Sequence, residues 1–122
     1  MSRILVVDDS LFARMNICDT LKEAGYETVQ AENGRAGLEK VLNERPDCIL
    51  SDLLMPEMDG IGFLAALKEM GNSIPVIVLS ADIQETKRKQ CVELGTVGFL
   101  SKPPRKNDIL DIVGKALSAH GG

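Results

Sequence analysis

Residues 4–10 read Ile-Leu-Val-Val-Asp-Asp-Ser: four apolar residues, two carboxylates and a hydroxyl. Ile4–Val7 has the length of a strand and no polar position. Side chains alternate between the faces of a strand, so an unbroken apolar run is buried on both faces, as in parallel sheets covered by helices. Acids stop the run, and Ser10 or Asp9 can then cap a helix. In that helix Leu11, Ile17, Cys18 and Leu21 recur at roughly helical spacing, and Gly25 closes it.

The same unit recurs along the chain. Glu27–Ala31 is a shorter, more polar strand centred on Thr28 and Val29, which suits a sheet edge. Asn33-Gly34 starts a turn, Leu38, Val41 and Leu42 form the apolar stripe of a second helix, and Pro46 follows its end. Cys48-Ile49-Leu50 is a third strand closed by Ser51-Asp52. A loop from Leu54 to Gly60 then leads to a helix marked by Phe63, Leu64, Leu67 and Met70. Ile74–Leu79 is the strongest strand signal, with Pro75 near its start and Ser80 at its end. A fourth helix is expected from about Ile83 to Leu94, stopped by Gly95. Val97–Leu100 is a fifth strand, ended by Ser101-Lys102. Pro103-Pro104 precedes a last helix containing Ile109, Leu110, Ile112, Val113 and Leu117. Successive βα units argue for an α/β fold with a parallel sheet and helices on both faces.

Composition sets the bounds. A chain of 122 residues, 44% hydrophobic and 26% charged, has the size and balance of one globular domain. We expect the domain to span residues 1–119, with 120–122 as a frayed tail or linker. The net charge of −4 and pI near 5.0 disfavour nucleic-acid binding through bulk electrostatics. The basic run Lys87-Arg88-Lys89 reads as a solvated helix face. Cys18, Cys48 and Cys91 are odd in number, lack C-x-x-C spacing and sit in apolar segments, which points to a reducing compartment. His120 is the only histidine, so a His/Cys metal cluster has too few ligands. No segment resembles a leader peptide or approaches the roughly 18 apolar residues of a membrane span. A cytoplasmic location is the expectation.

In open α/β sheets ligands bind beyond the carboxyl ends of the strands. Here the first strand ends in Asp8-Asp9, the third in Asp52, the fourth in Ser80 and the fifth in Lys102. Each of these residues alone suits a helix cap or a turn. Jointly they bring three carboxylates, a hydroxyl and an ammonium to one rim. Crowded carboxylates repel one another, and a hard divalent cation such as Mg²⁺, which takes oxygen ligands and keeps waters, resolves the conflict. A carboxylate can also serve as a nucleophile towards phosphorus. Cation, lysine and hydroxyl are the groups that stabilise a transferring phosphoryl group.

Over essentially its whole length the chain resembles the receiver domain of bacterial response regulators. The resemblance rests on Asp8-Asp9, on 52–60 (Asp-Leu-Leu-Met-Pro-Glu-Met-Asp-Gly), on Ser80-Ala81 and on 99–103 (Phe-Leu-Ser-Lys-Pro). It implies a flavodoxin-like, doubly wound fold whose five-stranded parallel sheet has the order 2-1-3-4-5. It also implies that Asp52 is the phosphoacceptor, and that Asp8, Asp9, Asp52 and the backbone carbonyl of Leu54 hold Mg²⁺. Lys102 would pair with the phosphoryl oxygens, Ser80 would donate to them, and Phe99 would be an aromatic switch moving with Ser80. The Lys102–Pro103 peptide would be cis. The implied partners are a histidine kinase or phosphotransfer protein as donor, a possible phosphatase and a downstream target protein. The family's partner face is the fourth helix, fifth strand and fifth helix, where Lys87, Arg88, Arg105, Lys106 and Asp108 would sit. We expect no direct contact with nucleic acid or membrane. The domain would catalyse its own phosphorylation and slow dephosphorylation without being a turnover enzyme.

Some positions depart from the common pattern. Pro104 stands where an apolar residue is usual, and Thr96 where alanine is frequent. Phe99 lacks a tyrosine hydroxyl, so any switch there must work through packing. Leu54 and Asp82 flank the acceptor at variable positions. With no output domain in the chain, the signal is expected to be read by protein contact; the alternative is a receiver excised from a multidomain regulator or hybrid kinase. A small Mg²⁺-dependent phosphohydrolase is a competing class, but there is no D-x-D motif. A flavin-binding domain is another, disfavoured by 3% aromatic content and an acidic rim. Release of phosphate from many phosphoesters would support the former, and a coloured protein the latter.

Overall fold

Among the described residues five strands and five helices alternate: β1 (Arg3–Val7), α1 (Leu11–Glu23), β2 (Glu27–Ala31), α2 (Gly34–Glu44), β3 (Cys48–Asp52), α3 (Gly60–Glu69), β4 (Val76–Ser80), α4 (Glu85–Glu93), β5 (Thr96–Ser101) and α5 (Lys106–His120). The structure is a computed structural model that describes residues 2–53, 58–81 and 84–120, residue 120 by its backbone alone. All strand pairs are parallel, in the order β2-β1-β3-β4-β5. The polar β2 lies at an edge, as expected.

The two-residue period of the strands divides the interior into two layers. Ile4, Val6, Cys48, Leu50, Ile77 and Leu79 face α1 and α5 on one side of the sheet. Leu5, Val7, Ile49, Val76 and Val78 face the other, where Phe63, Leu64 and Leu67 of α3 pack with Val41 of α2 and Cys91 of α4. Apolar residues therefore follow one another without a break in β1 because both faces are covered.

Local chemistry fixes where the helices begin. The Ser10 hydroxyl accepts from the Ala13 N–H at 3.2 Å, so Ser10 and not Asp9 caps α1. Asn33 caps α2 through the Ala36 N–H at 2.8 Å, and Asp59 caps α3 through the Gly62 N–H at 2.8 Å. Asp59 was expected only as part of a loop.

Several boundaries and apolar assignments differ from expectation. β4 starts at Val76, because Pro75 has no N–H to donate to the ladder. β5 is one residue longer at each end than expected, α4 spans only Glu85–Glu93, and α5 continues to His120. Leu11 is exposed although it shares the spacing of Ile17 and Cys18, because α1 begins at the carboxyl rim, where the sheet that would cover it ends. Leu42 turns to water because it lies about 100° of helical arc beyond the buried Val41. Met70 and Val92 are also exposed. Among the described residues no helix is long and apolar enough to cross a membrane.

Candidate functional site

The rim beyond the carboxyl ends of β1, β3, β4 and β5 carries the polar residues singled out above. Asp8 is fully buried and Asp52 nearly so, whereas Asp9 is exposed. One carboxylate oxygen from each of these three residues lies within 4.8 Å of the others. Lys102, from 94 residues along the chain, places its Nζ 2.8 Å from Asp8 Oδ2 and 3.2 Å from Asp52 Oδ2. The peptide bond after it, Lys102–Pro103, is cis, as the resemblance implied.

Each of the two buried acids is held from several sides. Asp8 Oδ1 accepts from the Ser10 N–H at 2.9 Å, and the Asp8 N–H donates to the Ala31 carbonyl at 3.1 Å. Asp52 Oδ1 accepts from the Leu53 N–H at 2.8 Å, which leaves Oδ2 turned to Lys102. Gly60 lets α3 begin close beneath this turn: a Cβ there would lie 2.6 Å from the Asp52 carbonyl oxygen.

Electrostatics follows from the geometry. Burial pushes the Asp52 carboxyl above the usual carboxylate range, and the Asp8 charge adds to the effect. Lys102 and the Leu53 N–H partly offset them. For Lys102, burial works to lower the pKa, but the hydrogen bond to Asp8 and the charges of Asp52 and Asp8 outweigh it and the ammonium form is favoured. The donor set is three hard carboxylates, two of them buried and sharing a single ammonium. That set fits a divalent cation bound through oxygen, with room for waters on the exposed Asp9 side.

Ser80 ends β4, half-buried, and its carbonyl accepts from the Lys102 N–H at 3.1 Å. It lines a cleft between β5 and α4 together with Phe99 and Arg88. The Phe99 ring is half-buried against the layer that contains Cys91, and the Arg88 guanidinium sits 4.4 Å over its centroid. The structure thus groups Asp8, Asp9, Asp52 and Lys102 directly, with Ser80 at the end of the adjacent β4 and Phe99 further back on β5 in the cleft that it shares with Ser80. Leu54, Asp82 and the Ile83 start expected for the fourth helix lie outside the described residues.

Two residues near the site were missed in the sequence. Arg14 donates to the Asp8 carbonyl at 2.6 Å, and its only sequence signal is its place early in a helix that starts beside the acid pair. Arg88 read as ordinary surface charge, since its stacking on Phe99 depends on how α4 lies against β5.

The family model for the response regulator receiver domain matches residues 4–114. The chemotaxis protein CheY of Bacillus subtilis is 38% identical over 117 residues, covering 95% of this chain and 98% of that protein. Sporulation initiation phosphotransferase F of the same organism is 36% identical over 115 residues, covering 94% and 93% respectively. Among solved structures, the chemotaxis protein CheY4 of Vibrio cholerae aligns with a TM-score of 0.91 at 33% identity, covering 96% of this chain and 99% of that one.

Proposed function

The chain belongs to the response regulator receiver family, the phosphoacceptors of two-component signalling, and from that premise we propose that Asp52 takes the phosphoryl group, with Lys102 and Ser80 assisting. The observation that carries this reading is the Lys102 ammonium shared by the buried carboxylates of Asp8 and Asp52, with Asp9 beside them.

An Asp52 carboxylate oxygen attacks the phosphorus of a phosphohistidine on a histidine kinase or phosphotransfer protein. The new O–P bond forms as the N–P bond breaks, and the electron pair leaves with the imidazole. Asp8, Asp9 and Asp52 would hold Mg²⁺, which would supply positive charge beside the transferring oxygens. Lys102, already 3.2 Å from Asp52, needs only a small shift to pair with a phosphoryl oxygen, and the Ser80 hydroxyl donates to another. The arriving group adds about two negative charges, drawing Ser80 towards the rim and altering the packing of its cleft neighbour Phe99. The domain's own groups thus catalyse its phosphorylation and subsequent hydrolysis.

The donor must bring its phosphohistidine to the open side of Asp52. On that rim the first turns of α1 expose Leu11, Phe12 and Met15, beside the acid pair. Apolar side chains exposed together at that spot suit a helix of the donor lying along α1.

Intact mass after incubation with acetyl phosphate and Mg²⁺ tests the assignment. The wild-type chain gains one phosphoryl group, and the gain is lost in Asp52→Asn or when the metal is chelated. Undiminished labelling of Asp52→Asn would refute it, and continuous phosphate release from varied phosphoesters would favour the phosphohydrolase instead.

A further inference from the structure

Arg14 is the fourth residue of α1, and its guanidinium points back at the end of β1. Its Nη1 donates to the main-chain carbonyl of Asp8 at 2.6 Å, while its Nε donates to Gln30 Oε1 on β2 at 3.1 Å. That carbonyl belongs to the peptide unit joining Asp8 to Asp9. The unit is planar and stiff, so fixing its oxygen fixes the direction in which the chain leaves Asp8, and hence where the Asp9 Cα lies. The Asp8 N–H is already tied to Ala31 of β2. With Arg14 anchored on β2 as well, both ends of Asp8's backbone are referred to the same neighbouring strand.

The two acids depend on this differently. Asp8 is buried, and its carboxylate oxygens take the Ser10 N–H and Lys102. Asp9 is exposed, so the surrounding protein does not enclose its side chain, and the course of its backbone sets where its carboxylate can reach.

We propose that Arg14 is a positioning residue for the cation site, holding the Asp8–Asp9 peptide plane so that the Asp9 carboxylate faces those of Asp8 and Asp52. Arg14 works through the backbone and touches neither the cation nor the phosphoryl group. This inference rests on the reading of the three acids as cation ligands.

Charge alone predicts the opposite. A guanidinium beside a divalent-cation site repels the cation, so a residue acting only through its charge would tighten binding when removed. The two roles therefore differ in sign. Calorimetric titration of the full chain with MgCl2 is compared for wild type, Arg14→Met and Arg14→Lys, with thermal melting in EDTA run alongside. Methionine keeps an apolar stem but loses every donor, and lysine restores a donor and the charge. Arg14→Met is expected to bind Mg²⁺ roughly 10-fold more weakly, the lower end of what loss of a ligand-orienting contact costs, while melting close to wild type. Arg14→Lys is expected to recover most of the affinity. Equal or tighter Mg²⁺ binding in Arg14→Met overturns the proposal, as does a loss of affinity that lysine leaves untouched. A wild-type chain that takes up no Mg²⁺ overturns the cation site itself, and this inference with it.

Discussion

The two ends of the rim are built differently. Where β1 meets α1, Asp8 is held by the Ala31 carbonyl, the Ser10 N–H, Arg14 and Lys102, and α1 is capped by a serine and buries Ile17, Cys18, Thr20 and Leu21. Where β4 meets α4, far less is fastened. Gln84 offers no side-chain cap, and Cys91 is the only residue α4 buries. Lys68 ties the far end of α4 through the Glu93 carbonyl, and near the rim the helix is held to β5 by Arg88 stacked on the Phe99 ring. Segments with little buried apolar surface and few side-chain ties open most easily. The fold thus fastens the acids proposed here to hold a cation, and leaves α4 lightly held.

The largest expected effect tests this contrast directly. Leu21→Ala, in the buried face of α1, should cost about 2–5 kcal/mol in urea unfolding. Val92→Ala, on α4 and 55% exposed, should stay within about 0.5 kcal/mol. Similar losses at both positions would erase the distinction.

Next in size is Lys102→Met, which leaves the Asp8 and Asp52 carboxylates facing each other. In EDTA at pH 7 it should lose about 2 kcal/mol, less than a fully buried pair would, because the lysine side chain is partly exposed. Saturating Mg²⁺ should restore most of that loss by replacing the missing positive charge. If added Mg²⁺ leaves the variant as unstable as before, the acids do not hold the cation.

The pH dependence sharpens the same point. Asp52's pKa is raised above the ordinary 3.8, so folding penalises its charged form. The penalty is absent below the unfolded pKa and grows as pH rises through the higher folded value. Asp52→Asn in EDTA should therefore be more stable than wild type at pH 7, and the advantage should vanish as the pH falls below about 3.8. An advantage that grows on acidification would mean that Asp52 is stabilised as the anion.

The smallest effect concerns the loose end of α4. Gln84→Ser should add about 0.5–1 kcal/mol of local stability, read as slower amide exchange in α4, whereas Ser10→Ala should cost α1 about as much. Unaltered exchange in the Gln84 variant would show that a missing cap is not what leaves α4 lightly held.

Taken alone, the sequence determined the alternation of strands and helices, the parallel sheet covered on both faces, and the kind of residue that ends each strand. Those features are local. Strand burial is written in runs such as Ile4–Val7 and Ile77–Leu79, and helix starts in residues such as Ser10 and Asn33. The family's motifs then supplied the strand order and the expectation that Asp52 is the acceptor. Only the tertiary structure decided that Lys102 reaches both Asp52 and, across 94 residues of chain, Asp8, that Arg14 holds the Asp8 carbonyl, that Arg88 covers Phe99, and that Leu11 and Leu42 face water. Each of these depends on which element lies against which, and on where the sheet stops. A side chain's spacing along its own helix carries neither piece of information, because burial and hydrogen bonding are set by the neighbour that packing brings and not by the neighbour in sequence.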